Sequence, residues 1–465
     1  MIKLKKISEI KNSNLAVIFE KNKDLEILDF LKLDKKILDK IKKSLKEEKN
    51  VFLQFFLGHP KFENLYVFIY KDQKQDIEYF LWEYIKKLEN NFSILALEKR
   101  ILNLVDASIL ARYKYQEFKK EKNEDKVFII YNKKTKEIIN DRIKTLENIV
   151  LARDLWTMPA NHLTPEEFVK IVKKTKFKNT KVKVFDYKKI QKLWMWLIEA
   201  VWKGSVNKPR VVILERIIDK KHPTIWLVGK WVTFDTGWIQ VKPWDMMYEM
   251  KWDMCGAANV FAIMKELDRK DLKINIVATL VLAENHISGE SYKPSDIIKS
   301  YSWKTVDVIH TDAEWRLVLA DWISYISKNY KLDRLISMAT LTWACMVALG
   351  FRYAWIMWND EKLIKKFLKY SENNFEKYNK LPFDNYFIEK TKSEIADLEN
   401  LNRWVYAGST MWAAFLYNFL MNNEDYTHVD IAWTALNSFE PYWLANKWMT
   451  GFWVDSVSSI LQGLE

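Results

Sequence analysis

The sequence predicts an α/β protein of two domains: a small N-terminal α/β domain over residues 1–145, and a larger one over 146–465 with a central mixed sheet flanked by helices. Three observations lead there. Short apolar runs of β character alternate with helical patterns through the first part of the chain. The character changes near Ala160, where a loop and a helix start replace a lysine-rich stretch that holds one glycine (Gly58) and one tryptophan (Trp82). Beyond it lie near-continuous apolar runs, as expected of strands covered on both faces. With 465 residues, 49% of them hydrophobic and 29% charged, the chain has room for two or three domains and is globular rather than disordered.

In the first domain, β-type runs fall at 15–19, 51–57, 65–70 and 127–131, with helical patterns at 77–88 and 138–155. No chemical motif stands out in it. In the second, Asn161-His162-Leu163-Thr164-Pro165-Glu166-Glu167 reads as a loop entering a helix, with Thr164 as N-cap and Pro165 in the first helical position. Apolar strands are expected at 211–214, 225–228, 274–282, 306–309 and 335–339. Ala257, Val260, Phe261, Met264 and Leu267 fall on one helix face. Internal repeats and low-complexity tracts are absent.

No apolar run reaches the ~18 residues of a membrane span. Charge, not an apolar signal core, follows Met1-Ile2-Lys3-Leu4-Lys5-Lys6. Cys255 and Cys345 cannot build a disulfide framework. The expectation is a cytoplasmic protein with no membrane partner. A net charge of +13 suits nucleic acid, but the lysines are dispersed rather than blocked, so nucleic acid is not the favoured partner.

Trp238 is out of character. Gly229-Lys230-Trp231-Val232-Thr233-Phe234-Asp235-Thr236-Gly237-Trp238 reads as a strand entering a tight loop, where glycine would be expected. The chain holds 10 glycines and 22 tryptophans. Average glycine usage is about 7%, which the two letters together would match. The simplest account is that many tryptophans stand where the natural protein has glycine, because some bacteria read the UGA codon as glycine.

Asp235, Asp253, Asp312 and Glu314 lie close to the strands, with Lys230, Lys242 and Arg316 among them. Ligands gather where strands of open α/β sheets end. Buried carboxylates need cationic partners, and carboxylate oxygens suit Mg²⁺, Mn²⁺ or Zn²⁺. Four acids can bridge two metals about 3.5–4 Å apart. Loop caps and surface salt bridges are the alternative, and spacing does not choose between them.

The motifs do. Val228 to Ile239 resembles the VGKGxTFDxGG segment of the leucyl aminopeptidase (cytosol aminopeptidase) family, continued by Lys242-Pro243 and by Met250-Lys251-Trp252-Asp253-Met254-Cys255-Gly256-Ala257-Ala258. Thr311-Asp312-Ala313-Glu314-Trp315-Arg316-Leu317 is similar to the family's NTDAEGRL. Ala339-Thr340-Leu341-Thr342-Trp343-Ala344-Cys345 resembles ATLTGAC, and Asp430-Ile431-Ala432-Trp433-Thr434-Ala435 resembles DIAGTA. The resemblance runs from about residue 150 to the C-terminus. The family pattern has glycine at Trp194, Trp196, Trp202, Trp231, Trp238, Trp303, Trp315, Trp343, Trp433, Trp448 and Trp453. Drift would scatter over Ala, Ser and Asn as well. Met246, His310 and Glu290 depart from the pattern at positions that are neither ligand nor catalytic.

The resemblance implies a metal-dependent aminopeptidase that removes Leu-like N-terminal residues from short peptides. It implies two divalent ions per subunit, Zn²⁺ or Mn²⁺ or else Mg²⁺. One would be held by Lys230, Asp235, Asp253 and Glu314. The other would be held by Asp235, Asp312 and Glu314, with the Asp312 carbonyl assisting. It further implies attack by a hydroxide bridging the metals, Lys242 stabilising the oxyanion and bicarbonate on Arg316 carrying the proton. The side-chain pocket would involve Met250, Thr340, Leu341, Ala432 and Ala435. The N-terminal domain would serve assembly into a homohexamer whose sites face an interior cavity. Two other roles are a DNA-binding accessory function and, should the tryptophans be genuine, a catalytically dead scaffold.

Overall fold

The structure is a computed structural model. It describes residues 2–5, 13–19, 29, 31–57, 62–71, 77–88, 92–95, 98–122, 126–131, 134–248, 250, 253–340, 349–405, 407–422, 424–437 and 448–464. The chain forms two compact units, Met1–Val150 with Asn437–Trp448, and Leu151–Leu436 with Met449–Glu465.

The first unit holds a six-stranded sheet of β1 (Ile2–Lys5), β2 (Ser13–Phe19), β3 (Val51–Phe56), β4 (Phe62–Ile69), β5 (Phe92–Leu95) and β6 (Val127–Ile130). Its order is β1-β6-β5-β2-β4-β3. Only the β3–β4 pair is antiparallel. Leu15, Val17 and Phe19 from β2 meet Leu65, Val67 and Ile69 from β4 in one apolar core, the alternation expected of a pleated strand. The four sequence-expected runs became β2, β3, β4 and β6. Strands β1 and β5, four residues each, are too short to display a period.

The second unit is built on an eight-stranded mixed sheet. Its strands include β7 (Lys181–Phe185), β8 (Arg210–Arg216), β9 (Thr224–Asp235) and β10 (Asn275–Asn285). A side sheet joins β11 (Ile297–Lys299), β12 (Thr305–Asp307) and β16 (Leu398–Glu399). The main sheet is completed by β13 (Arg334–Ala339), β14 (Tyr353–Trp358), β15 (Lys377–Lys380) and β17 (Asp425–Asp430), in the order β15-β14-β17-β13-β9-β10-β8-β7. The expected run at 306–309 therefore belongs mainly to the side sheet.

The centre of the main sheet, β17-β13-β9-β10, is parallel throughout. Every residue of β10 is buried. The helix Cys255–Asp268 links β9 to β10, and its expected apolar face is buried. Gly229 and Gly256 make this possible: a Cβ on Gly229 would lie 2.6 Å from the Ala257 Cα. At the start of the helix Pro165–Lys174, Thr164 accepts from the Glu167 N–H at 3.3 Å with Pro165 in the first turn, as its sequence dictates. Four parallel strands thus end side by side at Asp235, Asn285, Ala339 and Asp430, where a parallel sheet gathers its ligands.

Candidate active site

Lys230 and Asp235 lie on one strand, five residues apart. Strict alternation would place them on opposite faces. Pairing with β10 runs in register to Val232↔Ala283 and resumes at Asp235↔Asn285, so β9 carries one extra residue. That bulge turns Asp235 onto the side of Lys230, a known use of bulges beside active sites. Both residues are 1% exposed.

Lys230 Nζ donates to Asp253 Oδ1 at 2.5 Å and to the Thr340 carbonyl at 2.7 Å, so the ends of β9 and β13 share one amine. Burial pushes this amine below its usual range, against Asp253, Glu314 and Asp235, which favour the charged form. Asp253 sits in the turn before the helix Cys255–Asp268 and also accepts from Thr340 Oγ1 at 3.0 Å. Burial raises its carboxyl above the ordinary carboxylate range.

Asp312 and Glu314 come from the loop that opens the helix Glu314–Asn329. Thr311 fastens that loop to the end of β9: its hydroxyl donates to the Gly237 carbonyl at 2.8 Å, its N–H to Gln240 Oε1 at 2.7 Å. The Tyr292 hydroxyl donates to the Thr311 carbonyl at 2.7 Å. His310 Nδ1 accepts from the Asp312 N–H at 3.2 Å, so this imidazole supports the loop. Asp235, Asp312 and Glu314 each offer an oxygen within 4.8 Å of the others.

The strongest sign of a cation-binding site is Glu314. It is fully buried and neither carboxylate oxygen has a hydrogen-bond partner. Burial, then Asp235 and Asp312, push its carboxyl well above its usual range. Burial and Asp235 raise Asp312 to about 7, with Lys242 pulling the other way. A buried carboxylate with nothing to accept from is costly, and cations beside it would remove that cost. Three carboxylates, one of them unpartnered, and an amine held toward its neutral form suit hard or borderline divalent cations.

Lys242 Nζ lies 2.9 Å from Asp235 Oδ2 and also pairs with Asp312. Burial alone would lower this amine, but Asp235 and Asp312 hold it above its usual range. Arg316, 3% exposed, stacks 3.5 Å over the Trp412 ring and donates to the Asn400 carbonyl. Burial weighs against its charge, with Glu314 and Asp312 sustaining it.

The structure thus brings all five expected ligands and both expected cations to the ends of β9 and β13 and the start of one helix. The pocket residues divide. Met250 and Ala432 are half-buried, Ala435 is 1% exposed, and Thr340 faces Asp253 through its hydroxyl. Leu341 lies outside the described residues. Sequence reasoning missed Asn285, Thr311, Gln240 and Tyr292, which position the acids; Thr311 lies inside a motif and Gln240 beside one, but nothing in the sequence marked Asn285 or Tyr292. Trp315 is also in the site. Its Nε1 donates to Asp253 Oδ2 at 2.6 Å and its ring lies 3.6 Å from Lys230 Nζ.

The same residues carry a family match. Residues 150–458 fit the model for the cytosol aminopeptidase family, catalytic domain. The chain is 38% identical over 380 residues to a probable cytosol aminopeptidase of Cenarchaeum symbiosum, covering 80% of this chain and 77% of that one. It is 33% identical over 396 residues to one of Treponema denticola, covering 80% and 83%. Among solved structures, apo leucyl aminopeptidase from Trypanosoma cruzi is similar at TM-score 0.84 and 24% identity, over 100% of this chain and 97% of that one. The bottromycin maturation enzyme BotP in complex with Mn is similar at TM-score 0.83 and 24% identity, over 97% and 99%. The chain belongs to the cytosol aminopeptidase family. It is a metal-dependent aminopeptidase, a peptide hydrolase. No helix among the described residues is long and apolar enough to cross a membrane.

Proposed function

We propose that this aminopeptidase removes Leu-like apolar N-terminal residues from short peptides in the cytoplasm, using two divalent ions, Zn²⁺ or Mn²⁺ or else Mg²⁺. The observation that carries it is the buried, unpartnered Glu314 carboxylate beside Asp235 and Asp312. Lys230, Asp235, Asp253 and Glu314 would hold one ion, and Asp235, Asp312 and Glu314 the other. When bound, the ions supply Lewis acidity and water activation at neutral pH. The rest falls to the chain. Lys242, kept charged by Asp235 and Asp312, faces the oxyanion of the attacked carbonyl. Arg316 would hold bicarbonate, which when bound supplies a base for proton transfer. Met250 and Ala432 offer apolar surface to the substrate side chain.

Residues 1–145 serve assembly into a homohexamer, which sedimentation would test. Purified Trp315→Gly chain loaded with Mn²⁺ should hydrolyse Leu-amide faster than the parent and lose that activity to a chelator. Metal analysis of that variant should give about two ions per chain; an active chain with none would refute the reading.

The tryptophans at family glycine positions are read here as glycines of the natural protein. Backbone conformation supports it. Of seven non-glycine residues with positive φ among those described, five are tryptophans: Trp194, Trp238, Trp303, Trp358 and Trp453. Bulky residues avoid that region. Trp238 and Trp453 are fully buried with indole N–H groups that find no acceptor, against the habit of buried Trp. Trp358, at φ 131°, joins the group although no family motif singled it out. Peptide sequencing of the natural protein at 238 and 358 decides it; tryptophan there refutes it.

A further inference from the structure

Asp235 is the acid that both ion positions would share, and its two oxygens have different surroundings. Oδ2 faces Lys242, which also pairs with Asp312, so this oxygen lies on the side of the other acids. Oδ1 is turned into the protein. It accepts from the Gly237 N–H at 2.9 Å and from the side-chain amide of Asn285. Asn285 is fully buried at the end of β10 and sits opposite Asp235 where pairing resumes after the bulge. Its own carbonyl accepts from the Thr236 N–H at 3.1 Å and from Thr236 Oγ1 at 3.2 Å, so its backbone is fixed independently of its side chain. An ionised carboxylate only accepts, so the amide must present Nδ2 to it.

We propose that Asn285 is a positioning residue for the metal centre: it engages Asp235 Oδ1, fixes the rotation of that carboxylate, and leaves Oδ2 as the oxygen offered to the ions. This rests on the two-ion reading of the site. The bulge supplies the reason such a residue is needed. The extra residue in β9 places Asp235 at the last pair of the ladder, just past the irregularity, where its carboxylate would otherwise turn about its side-chain bonds. Outer partners that orient a metal ligand typically contribute 10- to 100-fold in metal affinity or activity.

The test compares the purified metal-free chain with Asn285→Ala and Asn285→Asp. Mn²⁺ binding is measured by calorimetry, kcat and KM at saturating Mn²⁺, and thermal unfolding without metal. Asn285→Ala should weaken Mn²⁺ binding about 10- to 100-fold and lower kcat more than it raises KM. Asn285→Asp keeps the size but turns a donor into a charge facing Asp235, and should weaken binding at least as much. Asn285→Asp carries the test alone if the alanine variant does not fold. A purely structural asparagine would shift unfolding and leave the Mn²⁺ affinity of the folded protein within about twofold of the parent; that result overturns the proposal. A parent chain that binds no Mn²⁺ overturns the two-ion reading itself, and the role of Asn285 with it.

Discussion

Replacing Trp315 by glycine should convert a plugged site into a working one. Trp315 is 2% exposed and packs with Val232 and Trp412. Its indole occupies Asp253 Oδ2, and its ring face stabilises a charged Lys230, the opposite of what an amine ligand needs. In the metal-free chain, Trp315→Gly removes a large buried side chain. The precedent for such truncations is a loss of about 3–5 kcal/mol, with about 1 kcal/mol more for glycine in a helix. It also frees two ligands of one ion. Mn²⁺ at about 1,000 times its dissociation constant returns about 4 kcal/mol, so the loaded variant should be nearly as stable as the parent. Calorimetry should count one ion in the parent, at Asp235, Asp312 and Glu314, and two in the variant. Leu-amide hydrolysis should rise with the second ion. A parent that already takes two ions and matches the variant's rate would refute the reasoning.

Lys242→Ala should lower kcat by about 10²–10³-fold, the effect of losing one oxyanion donor, with a smaller change in KM; an unchanged kcat would remove Lys242 from catalysis. Glu314→Gln replaces an orphaned buried charge with a neutral group of the same shape, so the metal-free chain should unfold no more easily while Mn²⁺ binding is lost; retained binding would exclude Glu314 as a ligand. Glu376 is a buried carboxylate that accepts from the Trp453 N–H at 2.7 Å and the Ser456 N–H at 3.0 Å, and burial raises it to about 8. A raised folded-state value means that its stabilising contribution is full below about 4.5 and is lost as pH rises toward about 8. Glu376→Gln should flatten that part of the unfolding-versus-pH curve, and an unaltered curve would count against it.

Much of this protein is readable from its letters because the relevant physics is local. Thr164-Pro165 sets a helix start by its own hydrogen bond and ring, and the spacing of Ala257, Val260, Phe261, Met264 and Leu267 marks the buried helix face. Apolar runs marked β8, β9, β10 and β13. By contrast, β17 carries Asp425, Thr427, His428 and Asp430, yet all but its first residue are buried. Ser337 Oγ meets Tyr426 OH at 2.6 Å and His428 Nδ1 at 2.7 Å, so that strand is held partly by polar contacts that a hydropathy pattern does not show.

The sequence by itself determined the chemistry: which acids, lysines and arginine are present, and through their motifs which family they belong to. Ligand type and motif spacing are covalent properties and survive without coordinates. The tertiary structure decided how they meet. One extra residue in β9 turned Asp235 toward Lys230, Thr311 tied the acid-bearing loop to that strand, and Asn285, fifty residues away, took hold of an Asp235 oxygen. It also set the backbone of Trp238 and Trp453, whose positive φ and unpartnered buried indole N–H are properties of the fold that a letter does not carry.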